Sequence, residues 1–193
     1  VTDEFDALLD SVLIGGREHV TIEVVEYDAG WPARFVRLAE VIGQALGPLA
    51  LSVDHIGSTS VPGLAAKPII DILLTVASVE DEDSYLTAME HAGFVLRVRE
   101  PDHRMFRTPA KNVHIHLYAP GRQESVDYLT LRDWLRSSAP ARALYAETKK
   151  RLAGQSWPDM NYYAAAKSGV IAQLLADARA HPVVEPVETR AQG

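Results

Sequence analysis

The chain has 193 residues, 47% of them hydrophobic, and no cysteine. That composition permits a substantial core and excludes disulfides, thiolate nucleophiles and cysteine-held metals. A formal charge of −7, from 26 Asp and Glu against 19 Lys and Arg, gives no general attraction to a nucleic-acid backbone, so a long duplex is not an expected partner. No apolar run is long enough for a membrane span and no basic-then-apolar pattern marks a signal peptide; no membrane partner and a cytoplasmic location are the expectations.

Residues 4–14 read as a short amphipathic helix stopped by Gly15-Gly16. Thr21–Val25 alternates as a strand does. Pro32 suits a first helical turn, and Phe35, Leu38, Val41, Ile42 and Leu46 recur at helical spacing up to Gly47-Pro48. Strands are expected over Leu51–Ile56 and Ile69–Val76, a helix over 79–91 with Gly93 as its cap, and strands over Phe94–Val98, Arg104–Arg107 and Val113–Tyr118. Helices are then expected over 126–136, 140–153 and 160–179. This order predicts an α/β or α+β fold in one domain over 1–180, with a sheet body about 20–120 and a helical part about 121–180. Residues 181–193, rich in proline, valine and charge, read as a disordered tail.

The densest chemistry lies between the second and third expected strands. Gly57 permits close backbone approach to a ligand. Ser58, Thr59 and Ser60 offer hydroxyls in a turn whose amides can form an anion nest, and Pro62 stiffens the chain beyond them. The segment is neither a Walker A loop nor a dinucleotide fingerprint. Lys67, directed by Pro68, is a candidate phosphate ligand, although a surface lysine fits the pattern too. Asp71 interrupts an apolar run, where a charge is costly unless paired or metal-bound. His114 and His116 alternate on one strand face and suit metal binding, phosphate contact or acid–base work. His55 lies before the loop as a buried structural residue or a ligand contact, and Asp54 is a reserve carboxylate. Arg97, Arg99, Arg104, Arg107 and Lys111 form a basic cluster sized for a small phosphorylated molecule, with Arg104 its first phosphate candidate. Trp31, Trp134 and Trp157 read as packing residues.

The stretch His55-Ile-Gly-Ser-Thr-Ser-Val-Pro-Gly-Leu-Ala-Ala-Lys-Pro-Ile-Ile-Asp-Ile72 resembles the signature of the GrpB (UPF0157) family, which is related in fold to the nucleotidyltransferase superfamily. Val25–Pro32, Val113–Tyr118, Tyr128–Leu135 and Tyr162–Lys167 extend the resemblance over about residues 20–178. It implies a nucleotidyltransferase-like mixed β-sheet flanked by helices, with a helical C-terminal region. It also implies phosphate binding by Gly57 and Ser58, a divalent metal (Mg, Mn or Zn) at Asp71, and a nucleotide or other phosphorylated ligand. Lys167 matches a lysine of the family's last helix and is a candidate phosphate contact, although a helix-surface lysine is the default reading of its position.

Two departures limit the implied reaction. Leu73 stands where the superfamily carries a second acid, and His114 and His116 occupy the strand expected to give a third. Two-metal phosphoryl transfer needs oxygen ligands around ions roughly 4 Å apart, whereas an Asp/His set suits Mn²⁺, Zn²⁺ or Fe²⁺. Three readings therefore stand: a nucleotidyltransferase-like transferase, a non-catalytic binder of phosphate ligands, and a phosphoryl or hydrolytic enzyme with Asp71, His114 and His116 as its catalytic and metal residues. The family also suggests a link to coenzyme A metabolism through domains fused to dephospho-coenzyme A kinase, although this chain has no Walker A loop.

Overall fold

In a computed structural model, residues 2–19 and 21–181 are described; the expected tail, from 182 onward, lies outside the described residues. Chain order is α1 (Thr2–Val12), α2 (Trp31–Leu46), β1 (Ser52–Ile56), β2 (Ile70–Thr75), α3 (Leu86–His91), β3 (Val95–Glu100), β4 (His103–Arg107), β5 (Val113–Tyr118), α4 (Gln123–Ser137), α5 (Ala139–Ala153), α6 (Met160–Ala165) and α7 (Ser168–Ala180). The five strands form one mixed sheet in the order β1-β2-β5-β4-β3, in which β2 and β5 are parallel and all other neighbours antiparallel. The parallel pair requires a long crossover, and α3, β3 and β4 supply it.

Period-two alternation divides these strands between two faces. Ile70, Ile72 and Leu74 of β2 join Val113, Ile115 and Leu117 of β5 and Phe106 of β4 in an apolar layer. Trp31, Ile42 and Leu46 of α2 and Met89 of α3 pack over it. Each such aliphatic side chain contributes about 1.5–3 kcal/mol when removed from water. On the opposite face, Ile56, Leu73 and Tyr118 meet Tyr128 and Leu129 of α4. Val61 and Leu64, after β1, pack with Leu135, Ala141, Tyr145 and Leu174 of the C-terminal helices. Pro140 and the Ser138 side chain, which accepts from the Ala141 amide, set the start of α5.

Three expected elements differ. Thr21–Val25 forms no strand; Val25 makes one isolated bridge to Ala66. Its alternation is real, but Ile22 and Val24 pack with Leu152 and Tyr163 while Val25 packs with the main core. The expected helix over 79–91 shrinks to α3 after a 3-10 turn at Glu82–Ser84. Glu80 and Glu82 there turn toward arginines of the sheet rather than lining a helix surface. The expected helix over 160–179 is interrupted between α6 and α7, with Lys167 capping the second piece. Trp31 is buried, and Trp134 and Trp157 are partly buried against helical clusters, as expected of packing residues.

Candidate functional site

The loop after β1 is held rigidly by its own polar groups. Gly57 has φ +67°, and a Cβ there would come within 2.4 Å of Asp71 Oδ2. Only glycine therefore lets the backbone lie against that carboxylate. Thr59 Oγ1 donates to the Ile69 carbonyl at 3.0 Å and lies 3.1 Å from His55 Nε2. Ser60 Oγ donates to the Gly57 carbonyl at 2.6 Å. Arg136 of α4 donates through Nε and Nη2 to the Ser60 carbonyl. Thr59 and Ser60 thus staple the turn. Ser58 is the hydroxyl that meets a charged group of the cavity, accepting from Lys149 Nζ at 2.9 Å. His55 stacks on Phe35 with ring centroids 4.7 Å apart, and burial pushes its pKa down to about 4.

Parallel pairing sets Asp71 beside His114 and Leu73 beside His116. One ligand atom each from Asp71, His114 and His116 falls within 4.8 Å of the others; His114 Nδ1 is 3.6 Å from Asp71 Oδ1. Burial opposes ionisation of Asp71, but the His114 imidazole 3.6 Å away and the charge of Lys67 hold its pKa below the usual carboxylate range. Burial pushes His116 down to about 3, with His103 adding to the shift, so its ring is neutral near pH 7. Leu73, 1% exposed, is committed to packing with Ile56, Tyr118 and Tyr128. Asp54 lies opposite Leu73 and pairs with Arg132 at 3.5 Å instead of joining Asp71.

These groups border a cavity of about 330 Å³ between the sheet and the C-terminal helices. Lys67, Lys149 and Lys167 all line it. Lys149, 3% exposed, reaches Ser58 and the Ala65 carbonyl from α5 and lies 4.7 Å from the Tyr145 ring centroid. Lys67 and Lys167 lie 5.1 and 4.8 Å from the Tyr163 ring centroid. The Tyr163 hydroxyl is buried without a hydrogen-bond partner. Burial, then the charge of Lys167, pushes Lys149 down to about 7; burial, then Lys67, pushes Lys167 down to about 8. Burial also lowers Lys67, against the pull of Asp71.

The expected basic cluster is placed elsewhere. Arg104 points to the apolar face, in register with Leu117, and pairs with Glu80 at 2.7 Å and with Glu82 at 2.5 Å. Arg99 also pairs with Glu82, Arg107 and Lys111 pair with Glu18, and Arg97 donates to the carbonyls of Ile14 and Gly16. Alternation splits these residues between faces, and acids close in space neutralise most of them. Arg104 is thus a structural ion-pair residue, which corrects its assignment to the phosphate site. Gly57, Ser58, Thr59, Lys67, Asp71, His114, His116 and Lys167 do converge on the cavity, whereas Ser60 supports its loop from behind.

Lys149 was not a sequence candidate. A signal for it existed: Ala141, Tyr145, Lys149 and Leu152 form the buried stripe of α5. A lysine inside a helix's buried stripe calls for an anionic or carbonyl partner. Tyr128, Tyr145 and Tyr163 were likewise unassigned as cavity residues.

The GrpB protein family model matches residues 21–177. The chain belongs to the GrpB family. A UPF0157 protein of Streptomyces coelicolor is 50% identical over 159 residues, covering 82% of this chain and 85% of that protein. The crystal structure of GrpB from Enterococcus faecalis is similar at TM-score 0.72 and 32% identity, over 81% of this chain and 96% of that one. A dephospho-CoA kinase of Mycolicibacterium paratuberculosis is 30% identical over 178 residues, although the matched segment spans only 43% of that protein. A structure of the GLD-2/RNP-8 complex, at TM-score 0.53 and 13% identity, covers 82% of this chain and 62% of that chain. This GrpB chain has a mixed-sheet α+β fold of the nucleotidyltransferase type. Among the described residues no helix is long and apolar enough to cross a membrane.

Proposed function

We propose that the cavity binds the phosphate groups of a nucleotide or another phosphorylated small molecule, beside a divalent metal ion held by Asp71, His114 and His116. The observation carrying this reading is the meeting of three lysines, Lys149 buried and Lys67 and Lys167 partly buried, in one cavity with a single carboxylate. Burial lowers the pKa of all three, with a neighbouring lysine charge adding to it at Lys149 and Lys167, and a phosphate supplies the countercharge that keeps ammonium groups protonated there. Ser58 and the glycine-opened backbone at Gly57 add uncharged polar contacts on the same side, while Thr59 and Ser60 hold the loop in shape.

The donor set fits a metal ion. One carboxylate and two imidazoles match the N/O preferences of Zn²⁺ and Mn²⁺ better than the all-oxygen preference of Mg²⁺. A tetrahedral ion with bonds of about 2.0–2.1 Å needs only modest closure of this triangle. Such an ion would polarise a phosphoryl oxygen. Asp71 would orient it and Lys149, Lys167 and Lys67 would hold and neutralise the phosphates. Nucleotidyl transfer is the second reading, favoured by the placement of Gly57-Ser58 and Asp71 on this fold. Leu73 weighs against it, because its burial leaves the metal position with one carboxylate.

Calorimetry with pyrophosphate, nucleoside triphosphates and coenzyme A precursors, each with and without Mg²⁺, Mn²⁺ or Zn²⁺, tests the proposal. Binding of at least one phosphorylated class is expected, weakened at least tenfold in Lys149→Met and Lys167→Met. No binding by any compound, or equal binding by both variants, would sink it. Pyrophosphate release in the presence of a hydroxyl acceptor would favour transfer over binding alone.

A further inference from the structure

The triangle of Asp71, His114 and His116 continues outward along the same sheet face. His103 Nε2 lies 3.2 Å from His116 Nδ1, and His103 Nδ1 lies 2.5 Å from Glu100 Oε1. Strand register produces this line: Glu100 faces His103 across the β3–β4 hairpin, and Met105, two residues beyond His103, faces His116. His103 is 9% exposed, and its ring lies parallel to two neighbours, with centroids 5.4 Å from His116 and 4.6 Å from Tyr118. It is therefore fixed by packing as well as by hydrogen bonds.

The proton positions follow from donor chemistry. An ionised carboxylate only accepts, so His103 Nδ1 carries the proton facing Glu100. In a neutral His103 ring, Nε2 is then the acceptor, and His116 Nδ1 must donate to it. That leaves His116 Nε2 as a lone pair free for a ligand role.

We propose that Glu100 and His103 are positioning residues that lock His116 in its Nδ1–H tautomer, present its Nε2 to the Asp71/His114 pair, and so select an imidazole-accepting divalent ion over Mg²⁺. The inference rests on the metal reading above. A ligand histidine whose other nitrogen is hydrogen-bonded gains basicity and a fixed orientation, and losing that outer partner weakens metal affinity 10–100-fold. The three-residue line links the cavity to Glu100, whose side chain is partly exposed.

Two measurements on the full chain separate the inference from the reading beneath it. Long-range ¹H–¹⁵N NMR of the metal-free protein is expected to show His116 protonated at Nδ1, and to lose that single-tautomer signature in His103→Phe and Glu100→Leu. Zn²⁺ and Co²⁺ titrations, with Co²⁺ absorption reporting coordination, are expected to weaken 10–100-fold in His103→Phe. They should partly recover in His103→Gln, whose amide oxygen can accept from His116. An Nε2–H tautomer in the wild-type chain, or unchanged affinity in a folded His103→Phe that contrasts with loss in His116→Ala, overturns the positioning role. A wild-type chain that binds none of these ions overturns the metal reading and the selectivity built on it, while the NMR result still decides the tautomer.

Discussion

Under α2 and α3, the inward residues of β2 and β5 are Ile70, Ile72, Leu74, Val113, Ile115 and Leu117, all buried. The residues between them on the same two strands include Asp71, His114 and His116, which border a cavity with three lysines. One face thus spends its alternation on packing, and the other assembles charge and imidazole against helices added later in the chain. The apolar face makes the parallel pairing of β2 and β5 rigid, and that pairing places Asp71 beside His114. Chemistry on one side depends on the hydrophobic register of the other, because a slip of one residue would exchange them.

Leu73 is the sharpest test of that division, since it lies on the cavity's face but is buried among Ile56, Tyr118 and Tyr128. Leu73→Asp is expected to cost about 3–5 kcal/mol by leaving a carboxylate uncompensated in the interior, measured by urea unfolding without metal. A near-neutral effect would mean that Leu73 belongs to the polar site rather than to the core. On the opposite face, Ile72→Ala is expected to cost about 3 kcal/mol while leaving Zn²⁺ affinity of the folded fraction within about twofold. A large loss of metal affinity in a folded Ile72→Ala would break the separation between the faces.

How much of this was legible follows the same division. The apolar run of β2 and the period-two alternation of β5 located both strands, and Gly57, Ser58, Asp71 and the two histidines were readable because their residue types are unusual beside apolar runs. Arg104 misled because proximity in sequence does not specify a face: Glu80 and Glu82, more than 20 residues earlier, neutralise it in space. Lys149 was missed for the converse reason, as its hydrogen-bond partners Ser58 and Ala65 lie 91 and 84 residues upstream. His103, one residue before the expected strand Arg104–Arg107, was not singled out, because only the pairing of β4 with β5 brings it to His116.

His55 sits on the packing side of the loop, so its titration should affect stability more than ligand binding. Its folded pKa of about 4 lies below its ordinary 6.5 because burial disfavours the charged ring. The unfolded chain therefore binds the extra proton first as pH falls, and stability is lost between about pH 6.5 and 4. The loss from this group is expected to reach about 2–3 kcal/mol. Urea melts of wild type and His55→Phe across that range should diverge, with the variant flatter. Parallel curves would mean that His55 is not buried neutral.

Lys149 gives the smallest stability effect and the clearest contrast with the core. Its folded pKa of about 7 lies below the ordinary 10.5 through burial and the charge of Lys167. Below pH 7 both folded and unfolded chains carry the charge, and the burial penalty is present in full. As pH rises from 7 toward 10.5, the folded group loses its proton first, so the penalty is relieved and stability rises. Lys149→Met removes the charge but also the donor to Ser58 and Ala65. It is therefore expected to gain about 1 kcal/mol at pH 6, with the advantage shrinking by pH 9, while phosphate affinity falls at least tenfold. Urea unfolding at the two pH values, paired with calorimetry, checks both halves. A variant less stable by the same amount at both pH values would make Lys149 a structural strut rather than a charge held in place for an anion.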